Sequence, residues 1–152
     1  MKPSHITVHC SATQNTATVT AERIREWHLE KGWSDIGYHF VIESNGKLKY
    51  GRTVDVNGAH VKGHNQNNIG ICLVGGVDAM GNPSFNFDPL QMEQLRTVIK
   101  TLCWAFNIPR ANVKGHRDWS PDLNKDGVIS EYEWLKYCPC FEVSSLEIDE
   151  VA

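Results

Sequence analysis

The chain has no excess of positive charge, no membrane-length apolar run, no low-complexity tract and no internal repeat. Its 152 residues hold 15 Lys and Arg against 18 Asp and Glu, a formal net charge of −3. A protein built to grip nucleic acid shows a basic footprint instead, so nucleic acid is not an expected partner. No apolar stretch approaches the roughly 20 residues that a spanning helix needs, so membrane insertion is not expected. The segment from Met1 to Cys10 lacks a basic region followed by an apolar stretch, so no secretory signal is expected. Cysteine is sparse and odd in number: Cys10, Cys72, Cys103, Cys138 and Cys140. That count argues against a disulfide framework. Cys72 and Cys103 read as core residues, and Cys10 fits the same role.

What is present is ordinary globular composition. Hydrophobic residues make up 41% and charged residues 22%, too apolar and too weakly charged for a disordered chain. With no linker visible, one domain over 1–152 is expected, and its core needs no staples. His5–Cys10 alternates and is β-branched, which predicts a strand. Thr20 can cap a helix from Ala21 to about Lys31, closed by Gly32, with Ile24, Trp27 and His28 on one face. Tyr38–Glu43 and Lys47–Arg52 flank Asn45-Gly46, a hairpin signal. Ile69–Gly76 reads as an apolar strand. Asp88 and Pro89 open a second helix, with a core stripe at Leu95, Val98, Ile99, Leu102, Cys103 and Phe106. Residues 112–116 read as a last short strand, and 131 to about 137 as a last helix. The order predicts an α/β domain, a mixed central sheet flanked by helices. The tail has four acids (Glu142, Glu147, Asp149, Glu150) and no Lys or Arg, and its end is expected to fray.

Two patterns point to metals. Residues 122–133 fit the twelve-residue calcium loop position by position. Asp122, Asn124 and Asp126 stand at positions 1, 3 and 5, and Gly127 at the sharp turn. The backbone of Val128 serves at 7, Ser130 at 9 and Glu133 at 12. Pro121 forbids a good entering helix, so the ion would be structural and not part of a paired sensor. The second pattern is scattered. Of seven histidines, His9 and His116 each end a predicted strand, and Cys138 follows the last predicted helix. Two His and one Cys can hold zinc with a fourth position open. The same set could make a copper site, although that usually adds an axial Met. The residues alone leave the choice open. His5 and His28 read as packed residues.

Six ordered blocks carry a resemblance: 8–13 (VHCSAT), 37–40 (GYHF), 60–65 (HVKGHN), 68–76 (NIGICLVGG), 115–118 (GHRD) and 136–139 (KYCP). Together they resemble the zinc-dependent N-acetylmuramoyl-L-alanine amidases, above all the small amidase "lysozymes" of T-odd phages. Peptidoglycan-recognition proteins of animals share that fold, and some bind without cleaving. The resemblance implies zinc on His9, His116 and Cys138, with Cys140 as a rival third ligand. It implies catalytic roles for Tyr38 and Lys136, and substrate-binding roles for His60 and Asn65. The shorter phage relatives have no evident calcium loop between the second histidine and the Lys-x-Cys segment.

The expected function is therefore hydrolysis of the amide between N-acetylmuramic acid and L-alanine in bacterial peptidoglycan, as a phage or prophage endolysin. Such an enzyme would be a monomer, made in the host cytoplasm and acting on the cell wall from the periplasm after release. A non-catalytic peptidoglycan-binding module is the alternative, and would lack the third ligand or the Tyr/Lys pair. A calcium-responsive interaction protein would need a second, paired loop, and the sequence has none.

Overall fold

The computed structural model describes residues 1–149. Seven main elements follow in the order β1 (His5–Cys10), α1 (Ala21–Glu30), β2 (Phe40–Ile42), β3 (Leu48–Tyr50), β4 (Asn68–Leu73), α2 (Pro89–Phe106) and β5 (Val113–Gly115). They build one five-stranded sheet in the order β3-β2-β4-β1-β5. Strands β2, β4, β1 and β5 run parallel, and β3 returns antiparallel along β2. The mixed sheet with helices agrees with the predicted class.

Local signals explain the boundaries. The Thr20 side chain accepts from the Arg23 amide and starts α1. Asp88 caps α2 in a capping box with Gln91, and Pro89 fills the first turn where no amide partner is needed. Gly46 takes a left-handed φ of 83° at the hairpin turn, where a side chain would be strained.

The period-2 alternation of β1 sorts its side chains between two environments. Ile6, Val8 and Cys10 enter the larger core with Ile69, Ile71 and Leu73 of β4 and Phe40 and Ile42 of β2. Helix α2 covers this face with Leu95, Val98, Ile99 and Leu102. On the other face, α1 covers Val41 and Cys72 through Ala21 and Ile24. No β1 or β5 residue joins that second cluster. Thr7 and His9, on the same face, meet polar partners instead: Thr7 Oγ1 donates to Asn68 Oδ1 at 2.8 Å and accepts from Trp119 Nε1 at 2.9 Å.

One predicted element is corrected. The helix expected from Glu131 to about Tyr137 is a single 3-10 turn, Glu131–Glu133, followed by irregular chain. The Leu135 amide is taken by Ser120 Oγ at 3.0 Å, so it cannot bond the carbonyl four residues back. Pro139 follows closely and disfavours helix in the residue before it. The start of the acidic tail is docked, with Val143 fully buried and Arg110 Nη2 donating to the Val143 carbonyl at 2.8 Å. The frayed end expected there includes Glu150, which lies outside the described residues.

Leu95 is 0% exposed and Leu90, on the same helix, is 59% exposed. Leu95→Ala is expected to lower unfolding free energy by about 2–5 kcal/mol, and Leu90→Ala by under about 0.5 kcal/mol. Urea unfolding of the two variants checks this, and equal losses would place the core elsewhere.

Candidate active site

Parallel strands bring their ends to one edge. Val8 of β1 stands opposite Gly115 of β5, so the next residues, His9 and His116, emerge side by side. Their Nδ1 atoms are 3.1 Å apart. Cys138 arrives from a distant segment, clipped in place by the Arg117 amide donating to its carbonyl at 3.0 Å. One donor atom each from His9, His116 and Cys138 lies within 4.8 Å of the others. Zinc holds nitrogen at about 2.0–2.1 Å and thiolate sulfur at about 2.3 Å, so only small side-chain shifts are needed to meet one ion. The Cys10 amide also donates to Cys138 Sγ at 3.1 Å, which holds the sulfur at the end of β1.

Burial sets the charge of the imidazoles. His9 is 1% exposed, and desolvation, helped by His60, His116 and Lys136, holds its pKa well below the ordinary value. Desolvation, with the Lys136 ammonium nearby, lowers His116 to about 4. Both rings are thus neutral near pH 7, the form that binds a metal. The Tyr38 ring lies tilted against His9 at 54°, with centroids 5.1 Å apart. Burial, with the neighbouring thiols Cys72, Cys138 and Cys10, raises its pKa well above the usual phenol value. Its hydroxyl therefore keeps its proton and remains a donor.

His116 opens onto a cleft of about 570 Å³ whose wall includes Lys136, His60 and Asn65. The two residues expected to bind substrate also serve the protein itself. Asn65 Oδ1 accepts from the His60 and Val61 amides at 2.8 Å each, capping its own loop. His60 has both ring nitrogens engaged, one with His9 Nε2 and one with the Asn68 carbonyl, each at 2.9 Å. The Asn65 amide nitrogen is left for a ligand in the cleft, whose wall the His60 ring also lines. Trp33, Lys62, Trp119 and Leu135 also line it. Lys62 lies within the 60–65 block, but Trp33, Trp119 and Leu135 did not stand out in the sequence. For the two tryptophans the only signal was adjacency, since Trp119 follows the Gly-His-Arg-Asp block directly and Trp33 the helix-ending Gly32.

The calcium-type loop is irregular chain with its carboxylates drawn inward. Asp122, Asp126 and Glu133 each place an oxygen within 4.8 Å of the others. Glu133 is 2% exposed and accepts from the Ser130 amide and hydroxyl at 3.0 and 2.9 Å. Those hydrogen bonds lower its pKa. Asp122 Oδ2 accepts from the Gly127 amide at 2.8 Å, while Asp122 Oδ1 is buried without a partner. Val128 is 62% exposed, and Asn124 and Ser130 bond within the loop. His28 is a packed residue, its Nδ1 accepting from the Gly37 amide at 2.8 Å.

A sheet edge that gathers two histidines and a cysteine beside a lysine-bearing cleft defines a metal-type hydrolase site. Residues 1–128 match the N-acetylmuramoyl-L-alanine amidase family, and the chain belongs to that family. It is 43% identical over 140 residues to the endolysin of Klebsiella phage KP32, covering 92% of this chain and 82% of that one. It is 40% identical over 138 residues to the endolysin of Escherichia phage T7, covering 91% and 81%. Among solved structures, the N-acetylmuramoyl-L-alanine amidase LysC from Clostridium intestinale superposes with a TM-score of 0.68 at 29% identity, covering 91% of this chain and 76% of LysC. Drosophila PGRP-LB shares the fold, with a TM-score of 0.67 at 24% identity over 91% and 76% of the two chains.

The thiols are separable by experiment. Cys140 Sγ contacts the Gly76 carbonyl at 3.4 Å and is not in the His9–His116–Cys138 group. Cys138→Ser is expected to lose bound zinc and abolish turnover, with Cys140→Ser keeping most of both. Elemental analysis and amino-group release from purified peptidoglycan read this out, and the reverse pattern would reassign the ligand.

Proposed function

We propose that this amidase is a zinc-dependent peptidoglycan hydrolase of phage endolysin type. It cuts the amide between the lactyl group of N-acetylmuramic acid and the L-alanine of the stem peptide. The observation that carries this reading is the His9–His116–Cys138 donor cluster opening onto a cleft that presents Lys136. Zinc held there would supply an activated water near neutral pH and Lewis-acid polarisation of the scissile carbonyl. A copper reading is disfavoured because Met92 is buried in the α2 core and Met80 is 86% exposed, so neither serves as an axial ligand.

The protein's own groups do the rest. The Lys136 ammonium offers fixed positive charge to the oxyanion that forms as the amide carbon becomes tetrahedral. Tyr38, with its proton retained, donates an O–H to the same developing charge. Lys62 and Lys136 both line the cleft, and their charges suit a stem peptide that carries carboxylates. The Asn65 amide nitrogen suits the carbonyls of the same ligand. The enzyme works as a single chain, made in the host cytoplasm and reaching the wall after release.

The 122–133 loop is assigned a structural calcium, supported by the orphaned Asp122 Oδ1 and the converging carboxylates of Asp126 and Glu133. Glu133 accepts from the Ser130 amide and hydroxyl and from the Leu123 and Asn124 amides, so an ion would take the place of some of these donors. Asn124, Ser130 and the Val128 carbonyl would complete the oxygen set that calcium needs. The loop joins Ser120 to Leu135 and Lys136, so an ion there would brace the chain that presents the lysine.

Two outcomes follow. Tyr38→Phe and Lys136→Ala should each lower kcat by ~10²-fold or more while zinc content stays near one per chain. Near-normal kcat in both would remove them from the chemistry. Asp122→Ala with Asp126→Ala should lower the melting temperature and turnover and make both insensitive to calcium. Calcium a hundredfold above its Kd should stabilise wild type by about 2.7 kcal/mol. If calorimetry detects no calcium binding to wild type, the loop is only a turn.

A further inference from the structure

We propose that His60 is a positioning residue that fixes the tautomer of His9, so that His9 presents Nδ1 and no other nitrogen to the metal. This rests on the zinc reading above. The assignment comes from a chain of three contacts. His60 Nε2 lies 2.9 Å from the Asn68 carbonyl oxygen. A carbonyl only accepts, so that nitrogen carries the proton. A neutral imidazole with its proton on Nε2 has a bare Nδ1, which is an acceptor. His60 Nδ1 lies 2.9 Å from His9 Nε2, so His9 donates from Nε2 and its own Nδ1 is bare. That bare Nδ1 is the atom 3.1 Å from His116 Nδ1, and both histidines group with Cys138. The opposite tautomer of His9 would set two lone pairs against each other at His60 and turn an N–H toward the metal position.

The surroundings hold His60 in this one orientation. Its ring lies in a slot cut by two glycines: a Cβ on Gly70 would come within 2.7 Å of it, and one on Gly58 within 2.6 Å. Asn65 Oδ1 accepts both the His60 and Val61 amides, fixing the backbone from which the ring projects. The His9 and His60 rings meet edge to face at 4.9 Å. No carboxylate contacts His60 among the described residues, so its two ring nitrogens are engaged only by the Asn68 carbonyl and His9. Partners that orient a metal-bound histidine in this way typically govern metal affinity by 10–100-fold.

The test titrates zinc into the metal-free full chain against a chromogenic chelator near neutral pH, and records the visible spectrum after cobalt substitution. His60→Phe fills the slot without a ring nitrogen. It should weaken zinc binding by about 10–100-fold and alter the cobalt spectrum. His60→Gln restores a neutral acceptor oxygen and should recover part of the affinity. Gly70→Ala keeps the imidazole but crowds it, and should weaken binding in the same direction. Melting temperatures of the metal-free variants separate these effects from unfolding. If His60→Phe does not fold, the Gly70→Ala titration decides, and unchanged affinity there overturns the proposal. Zinc binding by His60→Phe as tight as wild type, with the same cobalt spectrum, also overturns it. Equal losses in the Phe and Gln variants would do so too, because packing and not the hydrogen bond would then be at work. A wild-type chain that takes up no zinc would instead refute the zinc reading itself.

Discussion

Everything at the candidate site depends on the parallel pairing of β1 with its two neighbours. The register of β1 with β5 sets Val8 against Gly115, and this alone makes His9 and His116 neighbours. The register with β4 sets His9 against Cys72 and Thr7 against Gly70, which leaves room for the His60 ring beside the first histidine. Because side chains alternate, a slip of one residue would turn His9 into the α2 core and bring an apolar neighbour to the site. The apolar set Ile6, Val8 and Cys10 therefore guards the position of the candidate metal donor. Burying those three on one face is what keeps His9 on the other.

The two faces of the sheet carry different burdens. Under α2 the sheet buries a continuous apolar cluster, and there the stability is concentrated. Under α1 the apolar cover stops at β4, and the uncovered half is filled by a polar network of Thr7, His9, His60, Asn68 and Trp119. Buried polar groups are costly unless paired, and nearly every one in this network is paired with its neighbour. The pairing makes the site rigid, and rigidity is what a preorganised set of donors requires. Desolvation in the same place strips the charge from the imidazoles and leaves them ready to coordinate.

Opposite the sheet edge, the segment from His116 to Phe141 closes the site without regular structure. It turns at 116–119, runs through the acidic loop, turns at 131–133 and returns Cys138 to the Cys10 amide. A helix would have been too straight for that return. Side-chain hydrogen bonds from Ser120 and Glu133 take the place of a helical ladder. The Arg117 guanidinium lies 3.8 Å from the Trp134 ring centroid and ties the two ends of the loop together.

The linear sequence determined the elements whose signals are local. The alternation of 5–10, the Asn45-Gly46 turn and the Asp88-Pro89 cap depend on neighbours within a few residues, and each formed where expected. The family blocks named the candidate donors His9, His116 and Cys138 and the candidates Tyr38 and Lys136, because spaced motifs survive without knowledge of the fold. What only the tertiary structure decided was how distant groups share their hydrogen bonds. His60 read only as a groove residue, and that both of its nitrogens also meet partners 51 and 8 residues away was not visible locally. The stretch 131–137 read as a helix because nothing local reveals that Ser120, 15 residues earlier, captures the Leu135 amide. Trp33 and Trp119 carried no motif, yet they share one cleft wall. Periodicity and capping are properties of a chain with itself over one or two turns. A hydrogen bond or a cleft belongs to two segments at once, and only folding brings them together.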